Sequence, residues 1–269
     1  MTWLWGKLHL RGGSRGKGMQ TERLGYMKGS FQGVTDALEK AIVERGGKVH
    51  VNCPVERIVV ENGQVKGIEL SATEEPRFRT FDKVLATVPS FTFLELVPDL
   101  TGPYADLLRQ ARYQSAVVAV FEMKHSLSPI YWMNISDHTV PFVGAIEHTN
   151  FIGPDQYGGK HILYVSNYLS PSDPKYTLSN EELVELYCTH LPRINPSFTK
   201  EWVENWRVFR DEGGQPIITT HYSQRIPDHR TPIRGLYLAN TTQIYPEDRG
   251  MNYSIRLGQT AAKTVAEDR

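Results

Sequence analysis

Residues 235–262 read GLYLANTTQIYPEDRGMNYSIRLGQTAA, and this stretch decides the fold. An apolar run of Leu236, Tyr237, Leu238 and Ala239 leads into a polar loop, and a helical pattern follows, opened by Gly250. Met251, Ile255, Gly258, Ala262 and Val265 recur at helical spacing, which predicts a helix with one small or apolar face packed closely on a sheet. A strand that passes into a helix through glycine aims backbone N–H groups and the positive end of the helix dipole beyond the strand tip. Such a tip suits an anion.

Upstream, residues 24–58 read LGYMKGSFQGVTDALEKAIVERGGKVHVNCPVERI. Ser30 is placed to cap a helix with Phe31, Val34, Leu38, Ala41 and Ile42 as its apolar stripe, and Gly46 or Gly47 can supply the left-handed residue that ends it. Val49 and Val51 alternate with polar residues, which predicts a half-buried strand. Residues 58–60 and 65–70 form a hairpin pattern around Asn62-Gly63, the pair that best tolerates the positive φ angles of a tight turn. Residues 78–81 predict a further strand. KVLATV at 83–88 predicts a continuous strand covered on both faces and stopped by Pro89.

Between 91 and 108 the pattern is two short helices broken by Pro98 and Pro103. Strand patterns then dominate at 116–121, 131–135, 142–148 and 162–169, separated by Pro, Gly, Asp and Ser, so an antiparallel sheet is expected. Ser179 with Glu182 is a capping box, opening a helix on which Leu183, Leu186, Tyr187, His190 and Leu191 share a face. Trp202, Trp206, Val208 and Phe209 predict an aromatic strand before a GGQP turn at Gly213.

The stretch 235–262 resembles the C-terminal flavin-contacting motif of the FAD-dependent amine oxidase, protoporphyrinogen oxidase and phytoene desaturase superfamily. That motif is an apolar strand ending in Ala-Gly-Asp, a variable loop, then Gly-Met and a helix with small residues one and two turns in. Residues 236–239, Gly250, Met251, Gly258, Ala261 and Ala262 match it. Ala239 and Asn240 stand where the superfamily has Gly-Asp, so an amide replaces the carboxylate and can still donate and accept hydrogen bonds. Val55 and Ile58 resemble a Val-x-x-Ile segment whose Val backbone lies beside adenine.

The resemblance implies an α+β fold: the mixed-sheet remnant of an FAD-binding domain plus an antiparallel-sheet substrate domain with helices. It divides the chain into residues 1–90 (a connector to 28, then helix and strands), a substrate domain at 91–224, and a C-terminal flavin-domain piece at 225–269. It implies FAD as cofactor, with hydride passing from substrate to flavin N5. Cofactor contacts are expected from Val55 near adenine, Ala239 and Asn240 near the ribityl chain, and Gly250 and Met251 with the Met251 N–H near flavin O2. The substrate sheet of this superfamily walls the cavity facing the flavin, so Tyr131, Trp132, Tyr164, Tyr168, Trp202 and Trp206 are candidates to touch a small, apolar substrate. No catalytic side chain is assigned, and the Lys near N5 of many amine oxidases finds no match. A non-catalytic binding module of the same fold, or a flavin-dependent mutase of the galactopyranose type, is the alternative.

Thirty basic and thirty acidic residues give zero net charge, which argues against broad capture of nucleic acid or an anionic membrane. No apolar run approaches the ~20 residues of a membrane-spanning helix, and the opening apolar patch is too short for a secretory signal. Cys53 and Cys188 form no CxxC pattern, consistent with reduced thiols in a cytoplasm. RGGSRGKG at 11–18 lacks phosphate-loop spacing and suits a connector. His221 and His229 flank Asp228 without metal-ligand spacing, so no metal is expected. A GxSxG elbow is missing. The GxGxxG unit that grips the FAD pyrophosphate is missing too, so the chain is expected to be a fragment, inactive alone, of a longer flavoprotein. Purified material is therefore expected to be colourless, and titration with FAD to give no shifted band near the flavin maxima. A stoichiometric yellow protein would overturn this.

Overall fold

The computed structural model describes residue 5 and residues 25–71, 74–247 and 249–268; the 11–18 segment lies outside them. Its elements run α1 (Gln32–Glu44), β1 (Val55–Glu61), β2 (Gln64–Leu70), β3 (Phe78–Thr80), β4 (Val84–Ala86), α2 (Ser90–Leu96), α3 (Pro103–Arg109), β5 (Tyr113–Met123), β6 (Trp132–Asn134), β7 (Gly144–Glu147), β8 (His161–Leu169), α4 (Asn180–His190), β9 (Val203–Pro216), β10 (Leu236–Leu238) and α5 (Met251–Glu267), joined by loops and short 3-10 turns. The fold is α+β. Two compact units form, one from residues up to Ala105 together with Ile226 onward, the other from Asp106–Arg225. Residues 91–105, which the sequence pattern groups with the substrate domain, cluster with the first unit, where Phe93 and Val97 are buried.

In the first unit β1, β2 and β3 make an antiparallel sheet. Asn62 and Gly63 take φ 51° and 71°, as their hairpin requires. β4 and β10 pair in parallel, with Leu236 opposite Val84 and Leu238 opposite Ala86. The continuous buried strand expected at 83–88 is thus three residues long, with Val84 and Leu85 only half-buried. No strand forms at Val49 and Val51, and Val51 is 76 % exposed: alternation makes a strand only where a partner strand supplies the ladder. α1 forms and ends at left-handed Gly46 (φ 81°), yet Phe31, Leu38, Ile42 and Val43 of its apolar side are exposed.

α5 also presents a different face from the one its pattern suggests. Met251, Ile255, Gly258 and Ala262 are exposed, while Ala261 is fully buried with Tyr253 and Leu257 half-buried beside it. Its C-terminal end sets this rotation, because Lys83 Nζ donates to the carbonyls of Val265 (2.7 Å) and Asp268. Tyr237 on β10 donates its hydroxyl to Asp268 Oδ2 at 2.6 Å.

The second unit is a five-stranded antiparallel sheet in the order β6-β7-β8-β5-β9. One face buries Val117, Ala119, Phe121, Leu163 and Val165 with Leu183, Tyr187 and Leu191 from α4 and the turn after it. α4 opens on a complete capping box: Glu182 N–H donates to Ser179 Oγ (3.1 Å) and Ser179 N–H to Glu182 Oε2 (2.8 Å). The GGQP segment is not a turn. It remains within β9, where the register slips opposite Gln114 and Ala116, and a Cβ on Gly214 would stand 2.6 Å from Ala116 N. A glycine at a bulge lets two backbones approach this closely.

Truncating fully buried Phe121 to Ala is expected to cost about 3–5 kcal/mol of unfolding free energy. Leu38→Ala on the exposed stripe should stay within about 0.5 kcal/mol. Urea denaturation of the two variants measures the contrast.

Candidate functional site

Ala239 and Asn240 end the β10 run, and both are buried. Ala239 N–H donates to Ala86 O at 2.9 Å, which extends the parallel pairing by one bond. Asn240 Oδ1 accepts from Thr242 N–H (3.0 Å) and Thr242 Oγ1 (2.6 Å), while its Nδ2 donates to Val88 O (3.0 Å) and to Ser90 Oγ (3.3 Å). Its own N–H donates to Gln243 Oε1 at 2.8 Å. The side chain therefore fastens the tip of β10 to the exit of β4.

His229 sits beneath this joint. Its Nδ1 lies 3.0 Å from Leu238 O and 3.1 Å from Gln243 Nε2, and Gln243 Nε2 also donates to Pro227 O (3.2 Å) and Leu238 O (3.1 Å). Burial, reinforced by the Asp268 carboxylate, pushes the Tyr237 phenol up to about 12; the same hydrogen bond holds the Asp268 carboxyl below its usual range. The strand pair is thus tied to the C-terminal end of α5.

At the other end of α5, Gly250 is extended (φ −172°) and its carbonyl accepts from Ser254 N–H at 2.9 Å, the first bond of the helix. The amides of Met251, Asn252 and Tyr253 precede that bond, the first turn carries no acidic side chain, and Met251 is exposed. These are donors at the positive end of a 17-residue helix, a set that suits an anionic or electron-rich acceptor. Beside them lies a cavity of about 220 Å³ lined by His229, Gln243, Tyr245, Tyr253, Arg256 and Thr260. Arg256 stacks over the Tyr253 ring at 5.5 Å.

Four of the five expected cofactor positions lie on this strand, loop and helix. Val55 stands elsewhere, at the start of β1 opposite Leu70 and 37 % exposed. Its hairpin is linked to the chain entering β10, since Val65 N–H donates to Arg234 O and Arg234 N–H to Gly63 O, both at 2.9 Å. Among the described residues no group of three or more His, Cys, Asp and Glu side chains is placed to hold a metal ion.

In the second unit, strand register sorts the aromatic candidates. Trp202 and Trp206 pack on the buried core, and Tyr131 stacks on Phe151 at 5.0 Å. Trp132, Tyr164 and Tyr168 stand on the opposite face of the sheet. Below that face Glu147 is fully buried and accepts N–H bonds from Leu127 (3.1 Å) and Ser128 (2.8 Å), pinning the loop after β5. At its rim His148 is 8 % exposed, bonded through Nε2 to the Tyr157 hydroxyl at 2.6 Å and edge-on to Tyr164 at 6.1 Å. Sequence spacing gave no sign of the His148–Tyr157 pair, because the two belong to successive short turns between β7 and β8.

Residues 4–266 match the model of a family described as flavin containing amine oxidoreductase. The chain is 35 % identical over 120 residues to a 4,4'-diapophytoene desaturase (4,4'-diapolycopene-forming) of Methylomonas sp., a match covering 44 % of this chain and 22 % of the desaturase. Among solved structures, an oxidoreductase from Methanosarcina mazei superposes with a TM-score of 0.66 at 20 % identity, over 88 % of this chain and 55 % of that one. Reduced UDP-galactopyranose mutase gives 0.67 at 18 % identity, over 89 % and 52 %. The fold is shared with both, and the chain spans about half the length of these structures and under a quarter of the desaturase.

Burial holds the His148 pKa below its ordinary 6.5. Unfolded chain therefore takes up a proton near pH 6.5 that native His148 refuses, so stability falls as pH drops from there toward the native pKa. Carboxylates held low, such as Asp137 and Asp173, lose their contribution only in stronger acid. His148→Gln is expected to flatten the fall in urea midpoint between pH 7 and pH 5. Parallel pH slopes in variant and parent would contradict this.

Proposed function

Since the chain belongs to the flavin-containing amine oxidoreductase family, we propose that it is the substrate-domain-bearing part of an FAD-dependent oxidoreductase that takes hydride from a small, apolar substrate. Support comes foremost from the joint at Asn240, which holds the β10 tip against the exit of β4 and so fixes where the loop to α5 begins. When bound, FAD supplies a hydride acceptor at N5 and gathers negative charge around N1 and O2.

The chain's own groups answer to that chemistry. The Met251 amide, with the dipole of α5 behind it, is a fixed donor for charge near O2, and needs no reorganisation as that charge develops. Gly250 turns the backbone into the helix, and Ala239 and Asn240 set the loop beside the ribityl chain. In this role Asn240 acts as a joint, because its amide is already engaged on both sides. Val55 is the adenine-side contact, through its backbone. By its printed name the desaturase relative acts on 4,4'-diapophytoene and forms 4,4'-diapolycopene.

The test is Met251→Pro in a polypeptide extended at its N-terminus by the family's dinucleotide-binding unit. Proline is tolerated at the first position of a helix, so the change removes one N–H and little else. Losing a hydrogen bond to a charged group, worth roughly 1.5–3 kcal/mol, should make the flavin midpoint potential on the order of 30–65 mV more negative for a two-electron couple. An unchanged potential would remove Met251 from the site. Substrate turnover without net oxidation would favour a mutase.

A further inference from the structure

The first unit holds a cavity of about 300 Å³ at the end of β10 opposite to Ala239. Its inner surface is apolar: Ile58, Val97 and Leu100 are buried, and Val60 and Ile233 stand half-buried beside them. Pro98 and Pro232 complete the wall and bring no N–H to it. Strand β1, the turn after α2 and the chain entering β10 therefore meet here, and the tip of the β1–β2 hairpin at Gly63 reaches the same rim. None of the expected cofactor contacts lines it. Small-molecule sites run from roughly 300 to 1,000 Å³, so this one admits a compact body of one or two rings.

The rim carries one pair of charges. Arg57 Nη2 donates to Asp99 Oδ2 at 2.7 Å, and among the described residues lining the cavity no other is charged. Both side chains are exposed, so the pair adds little to stability by itself. The bond engages one nitrogen and one oxygen, leaving Arg57 Nη1 and Nε and Asp99 Oδ1 to a ligand.

This pair decides which head group fits. A carboxylate drawn to Arg57 meets the Asp99 carboxylate beside it, and an ammonium drawn to Asp99 meets the guanidinium, so an ion of either sign is repelled about as much as it is attracted. A zwitterion matches both charges but gives up the hydration of two ions at once. A neutral amide offers its carbonyl to the guanidinium and an adjacent N–H to the carboxylate, and both of those bonds are charge-assisted.

We propose that this cavity is a small-molecule site, separate from the strand, loop and helix at 236–262, for a compact apolar molecule with a carboxamide or lactam edge. The body lies against Ile58, Val97 and Ile233, and the edge on Arg57 and Asp99. Helix α2 and strand β10 both run from this cavity to the Asn240 joint, where Asn240 Nδ2 donates to Ser90 Oγ at 3.3 Å. A bound molecule thus braces at one end the two elements that Asn240 fastens at the other.

Equilibrium dialysis of the chain with 2-naphthamide, N,N-dimethyl-2-naphthamide and 2-naphthoate tests this without any flavin. 2-Naphthamide should bind at least about tenfold more tightly than either of the others, since the dimethyl amide has lost its N–H and the acid adds a charge. Arg57→Met should weaken 2-naphthamide about tenfold. Asp99→Ala should do the same and raise 2-naphthoate above the amide, because the guanidinium then has no carboxylate beside it. Thr101→Trp, at an exposed position on the rim, should fill the entrance and abolish binding of all three while the urea midpoint stays at the parent's value. Absent or equal binding of the three compounds overturns the proposal, as does a preference for the amide that survives Arg57→Met and Asp99→Ala. Undiminished binding in Thr101→Trp would place the naphthyl body elsewhere and overturn it too.

Discussion

The first unit depends on a parallel pairing between strands far apart in sequence, closed by one buried amide. Gly235 O accepts from Val84 N–H at 2.8 Å, Ala86 O accepts from Ala239 N–H at 2.9 Å, and Asn240 Nδ2 reaches Val88 O across a separation of 152 residues. Two three-residue strands are a small platform, so the side chain that caps them matters more than usual. Each polar atom of Asn240 has a partner, and an unsatisfied one would cost about 1–3 kcal/mol. This also explains the amide where the family has a carboxylate. Val88 O and Ser90 Oγ sit where a donor is needed, and an Asp at 240 would present oxygen to a carbonyl oxygen.

The second unit is built on a different principle, the two-residue period of a sheet with one face buried. Alternation along β5 is nearly perfect, with Ser115, Val117, Ala119, Phe121 and Met123 buried and the residues between them half-exposed. Once β5 is fixed, its neighbours inherit the same division through their register. That division separates Trp206, which packs against the core, from Tyr164, which stands on the other face.

Much of this was legible in the residues. The Asn62-Gly63 turn, the Ser179–Glu182 box and the antiparallel strands between 113 and 169 carry local chemistry that no tertiary contact overrides. The failures share a cause, since each depended on a partner the local pattern cannot specify. Val49 and Val51 alternate without a neighbouring strand. Gly213 and Gly214 look like a turn because only the approach of Ala116 shows why a strand needs them. The helix α5 is turned by about one residue from its apparent apolar face, because Lys83 and Tyr237 grip its far end. Of the candidate site, the strand, loop and helix were readable, whereas the engagement of Asn240 with Val88 and the parity of the aromatic residues required the register.

The entry and exit of the second unit are themselves paired: Tyr113 lies opposite Pro216, and Arg112 O accepts from Ile217 N–H at 2.8 Å. Once formed, that unit shortens the chain that must close before β10 can find β4 from about 150 free residues to roughly 45, saving about 1 kcal/mol of loop-closure entropy. During synthesis its last strand also emerges before β10 does. The insert thus acts as a clasp that holds its own entry beside its exit, so that the late strand reaches its early partner over the short flanking path alone.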